Sequence, residues 1–149
     1  MEDGLTAEQQ EAQLYEAVLG AILGTQPLVL KATVGLVGDE STEVELKVRW
    51  PDLEDEEAME RRTAEILVYP ADSMSSSAIT VARARAMIEV LAVAPFPQFL
   101  HATLSQKPVM HKGEMQLRPD TSKLRSKAVV AVLYQDYNGL YNRFQYLAV

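Results

Sequence analysis

Residues 28–50, LVLKATVGLVGDESTEVELKVRW, determine most of what the sequence predicts about the fold. In residues 28–37, apolar side chains recur at every second position, which places them on one face of a strand. After a Gly38-Asp39 turn, residues 43–50 alternate apolar and charged side chains in the same way. We therefore predict a half-buried β-hairpin. Its apolar faces are Leu28, Leu30, Ala32, Val34 and Leu36, and Val44, Leu46, Val48 and Trp50.

A helix is predicted before this hairpin. Thr6 and Gln9 have the spacing of a capping box, and apolar residues at helical spacing follow until Gly24. These signals predict an amphipathic helix over residues 7–23. Packing of this helix on the sheet is the simpler interpretation, and binding of a partner is the alternative.

In the segment after the hairpin, the sequence predicts the end of the second strand and, further on, a third strand. Trp50 falls on the apolar face of the second strand and is expected to anchor the core rather than to serve as an exposed recognition residue, and Pro51 ends that strand. Residues 52–60 are the densest acidic stretch, interpreted as a solvated loop, one short helix or a docking surface for a basic partner. Residues 64–70 are predicted to form a third strand.

The second half of the chain gives weaker signals until its end. Alanine-rich residues 78–93 favour a second helix, although a strand also fits their local pattern. Residues 128–134 are rich in β-branched side chains, and Asn138-Gly139 is the dipeptide typical of a type I′ turn. These features predict a C-terminal β-hairpin in which residues 140–149 form the returning strand.

A basic stretch lies between residues 78–93 and residues 128–134. Residues 107–127 contain six lysines and arginines against Glu114 and Asp120, and they are interrupted by prolines and a glycine. We expect an extended basic arm or loop at about 105–127, which is either partly ordered or contains a short strand near residues 114–117. Taken together, residues 1–149 are predicted to form a single α+β domain with a mostly antiparallel sheet, two packed helices and the C-terminal β-hairpin.

Composition argues against several classes of protein. The chain is 48% hydrophobic and 23% charged, which are ordinary values for a globular protein. No apolar run approaches the roughly 18 residues of a membrane span, and the start of the chain is acidic, unlike a secretory signal. Cysteine is absent, which excludes disulfides, thiolate zinc sites and a cysteine nucleophile. We expect a protein of the cytoplasm that does not enter a membrane.

No motif predicts catalysis, a cofactor or a metal. The two histidines, His101 and His111, stand ten residues apart, and His111 with Glu114 forms a lone H-x-x-E without a convincing third zinc ligand. The seven glycines do not form a phosphate-binding loop, since Gly20 and Gly24 lie at a helix end without a lysine. We expect no enzyme, no catalytic, cofactor-binding or metal-binding residues, and no cofactor.

Charge is divided along the chain. Residues 1–72 carry 17 acidic and 5 basic residues, a net charge of −12, whereas residues 73–149 carry 4 acidic and 9 basic residues, a net charge of +5. Two copies that meet head to tail would set the acidic half of one against the basic half of the next, which favours register and steering. The division therefore indicates assembly of a homo-oligomer.

The residues expected at such an interface fall into three groups. Four basic residues of the arm are also the candidates for phosphate contacts, but no aromatic side chains alternate with them as in a single-strand binding platform. Tyrosines near the predicted C-terminal turn fit a protein interface and cross-strand packing equally well. The predicted interface residues are Asp52, Glu54, Asp55, Glu56 and Glu57; Arg118, Lys123, Arg125 and Lys127; and Tyr137 and Tyr141.

The order of these segments resembles the small α/β proteins of tailed-phage necks and tails, of the tail-terminator or tail-completion type. The segments that carry the resemblance are residues 9–23, 44–53, 61–70 and 127–137. The resemblance implies a non-enzymatic subunit of a homo-oligomeric ring that surrounds the tail channel, closes the tube and joins it to the head. It also implies contacts with other tail or neck proteins of the virion, a passing contact with DNA in the channel, and assembly in the host cytoplasm.

This sequence departs from the resemblance in its long basic arm and in its cluster of C-terminal aromatic residues. Two other classes of function stay open. A monomeric adaptor would bind a different protein, and a small enzyme would have a concave pocket with convergent titratable groups.

Overall fold

Four α-helices and two antiparallel hairpins make up an α+β fold in the part of the chain that the structure describes. This computed structural model describes residues 4, 6–35, 41–67, 75–94, 96, 106–123 and 127–148. The helices are α1 (Ala7–Leu23), α2 (Leu53–Ile66), α3 (Ser76–Leu91) and α4 (Lys127–Phe144). The strands are β1 (Leu28–Gly35), β2 (Ser41–Val48), β3 (Gln106–His111) and β4 (Glu114–Pro119). Short 3-10 turns, Thr121–Lys123 and Gln145–Ala148, follow β4 and α4.

The first hairpin forms as the alternation predicts. β1 and β2 pair antiparallel, with Leu28 opposite Val48 and Leu30 opposite Leu46, and all four side chains are buried. Trp50 is also buried, and the centroid of its ring lies 5.4 Å from that of Tyr141 on α4. The prediction that one face of this hairpin enters the core is confirmed. The turn between the strands and Leu36 lie outside the described residues.

The opening helix is confirmed, whereas the third strand is wrong. In α1 the Thr6 hydroxyl accepts from the Gln9 N–H, and the Gln9 side chain accepts from the Thr6 N–H, which completes the capping box. The acidic stretch after Pro51 forms α2, which continues to Ile66, so residues 64–66 of the predicted strand are helical, and residues 68–70 lie outside the described residues. Its N-terminal acidic side chains favour a helix because they face the positive end of the helix dipole.

Residues 78–93 resolve the open choice between helix and strand in favour of α3. Buried side chains occur on every side of this helix, since Ala82, Ala84, Met87, Ile88 and Leu91 are all enclosed. A helix that is buried all round lacks the one-sided periodicity that identifies a surface helix in a sequence. Small alanine side chains let α3 approach both α2 and α4, against which it packs.

The prediction of a C-terminal hairpin is only partly matched, because a second hairpin exists but precedes α4, and α4 with the 3-10 turn after it occupies residues 127–148. Asn138-Gly139 lies inside α4 and forms no turn. Val130, Leu133 and Tyr137 are buried at helical spacing and pack α4 against β1 and α3. Tertiary packing therefore overrides the β-propensity of the valines in this segment.

The second hairpin instead lies within the basic arm and precedes α4. The predicted short strand near residues 114–117 is confirmed as β4, which pairs with β3. Lys112 and Gly113 connect the strands with φ angles of 55° and 76°. Positive φ at both central residues is the requirement of a type I′ turn, and Gly113 meets it without steric cost. The arm is thus an ordered hairpin over residues 106–119.

Main-chain hydrogen bonds join the first hairpin to the helices at both of its edges. The Lys31 N–H on β1 donates to Asp136 Oδ2 on α4 over 3.0 Å. On the other edge, the Arg49 N–H donates to the Leu91 carbonyl over 2.9 Å, and the Val93 N–H donates to the Lys47 carbonyl over 2.8 Å. These contacts fix the start of α2 next to the end of α3, where the second hairpin docks.

Candidate functional site

The second hairpin presents two chemically different faces. Because cross-strand partners share a face, Lys107, Val109 and His111 lie on the same side as their partners on β4. This inner side contains the charged residues of both strands together with Val109 and Gln116, and it faces α2 and α3. The outer side contains the intervening residues, among them both methionines of the hairpin.

At the tip of the hairpin, the inner face is attached to the buried carboxylate of Asp55 on α2. Asp55 is 0% exposed and receives a two-point contact from Arg49, with Nη1–Oδ2 and Nη2–Oδ1 distances of 2.7 and 3.1 Å. His111 Nε2 lies 2.8 Å from Asp55 Oδ1, and Lys112 Nζ lies 3.5 Å from the same carboxylate. Lys112 also forms an ion pair with Asp52, the N-cap of α2.

The position of Asp55 determines its protonation. Burial by itself would raise the pKa of Asp55, but the hydrogen bonds from Arg49 and His111 and from the backbone of Asp52 outweigh burial and hold the pKa well below its usual value. Asp55 is also the third residue of the α2 capping box, in which it accepts from the Asp52 N–H. One carboxylate therefore joins β2, the start of α2 and the hairpin tip.

At the base of the hairpin, a second buried carboxylate, Glu89 on α3, has a similar role. Glu89 is 6% exposed and accepts from Arg62 Nε over 2.7 Å, while Lys107 Nζ lies 3.3 Å away. The Thr121 hydroxyl donates to the other oxygen of Glu89 and accepts from Arg85 Nε. Burial would raise the pKa of Glu89, yet the contacts with Arg62 and Thr121 lower it.

Arg118 completes the attachment from β4. Its Nε donates to the Glu89 carbonyl over 2.7 Å, and its Nη2 donates to the Ala92 carbonyl over 2.6 Å, so the guanidinium covers the last turn of α3. This placement satisfies carbonyl groups that the helix end leaves without an intrahelical partner. The basic arm is therefore paired inside one subunit, with Asp52 and Asp55 of the acidic half and with Glu89 of its own half.

This internal pairing involves two of the residues that the sequence predicts at an interface. Asp55 and Arg118 were expected to meet residues of another subunit, but both are occupied within the chain. Asp52 contacts Lys112, and its carboxylate stays partly exposed. Glu54 and Glu57 lie exposed on α2. Arg125 and the side chains of Lys123 and Lys127 lie outside the described residues.

The predicted tyrosines also lie inside the subunit. Tyr137 is buried, and its ring stacks against that of Tyr141 with centroids 5.8 Å apart. The Tyr141 hydroxyl donates to Glu56 Oε1 over 2.8 Å, which joins α4 to α2. Burial and this hydrogen bond raise the pKa of Tyr141 to about 12. These contacts favour packing within the fold over an interface role for Tyr137.

The outer face of the second hairpin is apolar and open. Met110, Met115 and Leu117 are 62%, 64% and 63% exposed, and Pro108 is also exposed. The register sets Met110 opposite Met115 and Pro108 opposite Leu117, so the four side chains form two cross-strand pairs. Clustered exposed apolar side chains of this size mark contact surfaces more often than single ones do.

Prolines protect the two edges of this hairpin. His111 and Glu114 flank the two-residue turn and form a hydrogen-bonded pair, and the pairs alternate from there. Pro108 and Pro119 both fall in non-hydrogen-bonded pairs, where the N–H position points away from the partner strand. Each edge therefore lacks one of its outward-pointing N–H donors, which disfavours the addition of another strand. The face is better suited to contact than the edges.

A groove lies beside the start of α2. It has a volume of about 890 Å³, and its walls include Ile22, Trp50, Pro51 and Tyr141. Leu53, the first residue of α2, lines it and is 71% exposed. The groove therefore combines apolar walls with polar side chains such as Arg49, Asp52 and Glu56.

Sequence reasoning missed the outer face because it treated the arm as irregular. The alternation of QKPVMH with EMQLRP around a Lys-Gly dipeptide was the available signal for a hairpin. Lys-Gly is less typical of a type I′ turn than Asn-Gly, which drew the prediction to residues 138–139. The prolines in both strands also argued against regular structure, although prolines are compatible with hairpin edges.

Metal sites and membrane spans are both absent from the described residues. Within the described residues, no group of three or more histidine or acidic side chains is arranged to hold a metal ion. None of the described helices is long and apolar enough to cross a membrane. In comparisons with known proteins, no family model, curated protein or solved structure matches the chain.

Proposed function

We propose that the protein is a non-enzymatic assembly subunit that forms a homo-oligomeric ring, in the neck or tail of a tailed bacteriophage. The tail-terminator or head–tail joining position is the one that the sequence resemblance favours. Other tail or neck proteins of the same virion are its further partners. The role rests on a contact surface rather than on a chemical site.

The observation that carries the proposal is the outer face of the second hairpin. Its inner face is fixed to α2 and α3 by two buried carboxylates, so the hairpin is held in place before any partner binds. A rigid surface loses less entropy on binding than a flexible arm does. Exposing Met110, Met115 and Leu117 on such a support favours assembly.

Not all of the segments that carry the sequence resemblance have the predicted secondary structure. The opening helix and the first hairpin are present, whereas residues 64–66 and 127–137 are helical where strands were predicted. The proposal therefore depends mainly on the contact surface, and the position in a virion depends on the first two elements.

Absolute mass in solution tests the proposal. Size-exclusion chromatography with light scattering, at several protein concentrations and at low and high salt, should give a closed oligomer. Because exposed carboxylates such as Glu54 are proposed to meet Lys123, Arg125 and Lys127 of a neighbouring subunit, high salt should loosen the oligomer. Met110→Gln with Met115→Gln should yield the monomer without loss of helical circular dichroism.

A matched control separates this face from general surface hydrophobicity. Val132→Gln removes an exposed apolar side chain of α4, 43% exposed, and should leave the mass unchanged. A monomer at every concentration and salt would contradict the proposal and would favour the monomeric adaptor, for which the same face would bind a different protein.

A further inference from the structure

We infer that a cavity between the second hairpin and helices α2 and α3 is a binding site for a small tetrahedral oxyanion of the phosphate type. The cavity has a volume of about 230 Å³ and lies against the inner face of the hairpin. Three arginines line it, Arg61 and Arg62 from α2 and Arg118 from β4. The site lies within one subunit and does not depend on assembly, so it goes beyond the proposed function.

Positive charge exceeds negative charge around this cavity. Four cationic side chains line it or pair with Glu89, whereas two carboxylates line it. The cations are Arg61, Arg62, Lys107 and Arg118, and the carboxylates are those of Glu65 and Glu89. Asp55 lies next to the cavity behind His111, but its charge is already matched by the two-point contact from Arg49. The cavity therefore has two more positive charges than negative ones.

Both lining carboxylates are covered by other groups. Glu89 Oε1 lies 2.7 Å from Arg62 Nε and 3.3 Å from Lys107 Nζ. The other oxygen of Glu89 accepts from Arg62 Nη2 and from the Thr121 hydroxyl. Glu65 is more than half exposed and pairs with Arg62, so solvent screens its charge. Neither carboxylate therefore opposes a bound anion strongly.

Two of the arginines have N–H donors to offer. Arg118 is half-buried, and both of its hydrogen bonds go to main-chain carbonyls rather than to a carboxylate. A guanidinium has five N–H donors, so the Nη1 amino group of Arg118 has no acceptor among the described residues. Every enclosed polar side-chain atom of those residues has a partner, which means that this amino group is accessible to solvent. Arg61 is exposed and forms no ion pair with a described residue.

The environment of Arg118 favours an added anion. Burial and the nearby positive charge of Arg49 lower the pKa of Arg118, as expected where a cation lacks a matching counterion. Guanidinium groups bind phosphate oxygens through paired N–H contacts. A tetrahedral oxyanion presents oxygens in several directions, so donors from α2 and from β4 can contact it together. Its binding would neutralise Arg118 and join the hairpin more firmly to α2.

Isothermal titration calorimetry of the full-length protein tests the site, with inorganic phosphate as the probe. Sodium chloride keeps the ionic strength constant, so general screening by salt does not contribute. We expect saturable binding to the native chain and competition from sulfate. Arg61→Gln removes a side chain without an internal ion pair and should weaken phosphate binding about tenfold, the loss of one charge-assisted contact.

Two further variants complete the design. Arg118→Gln should weaken binding at least as much as Arg61→Gln, and circular dichroism shows whether it folds. Arg83→Gln is the matched control, because Arg83 is an exposed arginine of α3 that does not line the cavity, and it should bind phosphate like the native chain. Glycerol 3-phosphate distinguishes a free ion from an ester-linked phosphate group. Binding of either one through Arg61 supports the site.

Three results would overturn the inference. The first is a native chain that gives no saturable heat with phosphate. The second is equal phosphate affinity in the native chain and Arg61→Gln, which keeps the test valid even if Arg118→Gln does not fold. The third is acetate binding as tight as phosphate binding, since a planar carboxylate would then suffice. Light scattering reports on assembly separately, so a monomeric native chain would overturn the proposed function and leave this site in place.

Discussion

The two hairpins of this protein are attached to their surroundings by different forces. The β1–β2 hairpin buries Leu28, Leu30, Leu46 and Val48, so apolar packing holds it. The β3–β4 hairpin is held through Asp55 and Glu89, and its apolar side chains face outward instead. The first arrangement stabilises the fold. The second arrangement presents an apolar surface for contact and leaves most of that surface exposed.

Charges that are separated along the sequence meet within one subunit of this protein. The division between −12 and +5 suggested contacts between subunits. In the structure, part of that charge attaches the basic hairpin to buried carboxylates of the same chain. Because ion pairs attach the hairpin, its apolar side chains stay available for contact. Attachment by burial on the helices would have enclosed them.

The largest expected effect lies in the first hairpin. Leu46→Ala removes a fully buried side chain and should lower the free energy of unfolding by about 3–4 kcal/mol, because the neighbours cannot fill the cavity. Urea denaturation followed by circular dichroism measures the change. If Leu46→Ala and Leu117→Ala cost the same, the contrast between the hairpins would be wrong.

The next effect concerns the attachment of the second hairpin. Asp55→Asn should cost about 3 kcal/mol, the lower end for a broken buried ion pair, because Arg49 is partly exposed. Since the folded pKa of Asp55 is lowered, its stabilisation is complete above the unfolded pKa of about 3.9 and is lost as pH falls further. Urea denaturation from pH 7 to pH 2.5 measures both effects.

The native chain should lose stability below about pH 4 more steeply than Asp55→Asn does. Glu54→Gln is the matched control, because its carboxylate is exposed on the same turn of α2. If the native chain and Asp55→Asn showed the same slope, Asp55 would not have the lowered pKa that its contacts give it.

A pair of glycines tests which dipeptide makes the turn. Gly113→Ala should cost about 1 kcal/mol, because alanine is strained at a φ of 76°. Gly139→Ala should instead stabilise by up to about 1 kcal/mol, because Gly139 lies inside α4 with open space around it. Thermal denaturation of both variants measures the difference. A loss of stability at Gly139 would restore the turn that Asn138-Gly139 predicts.

The smallest effect on stability is expected on the outer face. Leu117→Ala should change the free energy of unfolding of the monomer by less than about 0.5 kcal/mol, because its side chain is 63% exposed. Denaturation at low protein concentration isolates this value from assembly. A cost near that of Leu46→Ala would show that Leu117 belongs to the core and would remove the contact surface.

Much of the fold was predictable where one face is buried and the other is solvated. The alternation around Leu30 and Leu46 and the capping box at Thr6 are local signals with one physical interpretation. Residues 64–66 and 128–134 were mistaken for parts of strands because β-branched side chains also occur in helices, and residues 68–70 lie outside the described residues. The candidate site was predictable only as a region, since the basic arm was identified but its hairpin was not.

The sequence by itself determined the α+β class, the opening helix, the first hairpin and the separation of charge, because each depends on neighbours in the chain. Only the tertiary structure decided that Asp55 and Glu89 hold the basic hairpin and that Met110, Met115 and Leu117 face outward. Those outcomes depend on residues 18 to 57 positions apart, from Lys107–Glu89 to Lys112–Asp55, that meet through the packing of α2 and α3. Local spacing carries no information about such meetings, since they arise only when the helices have packed.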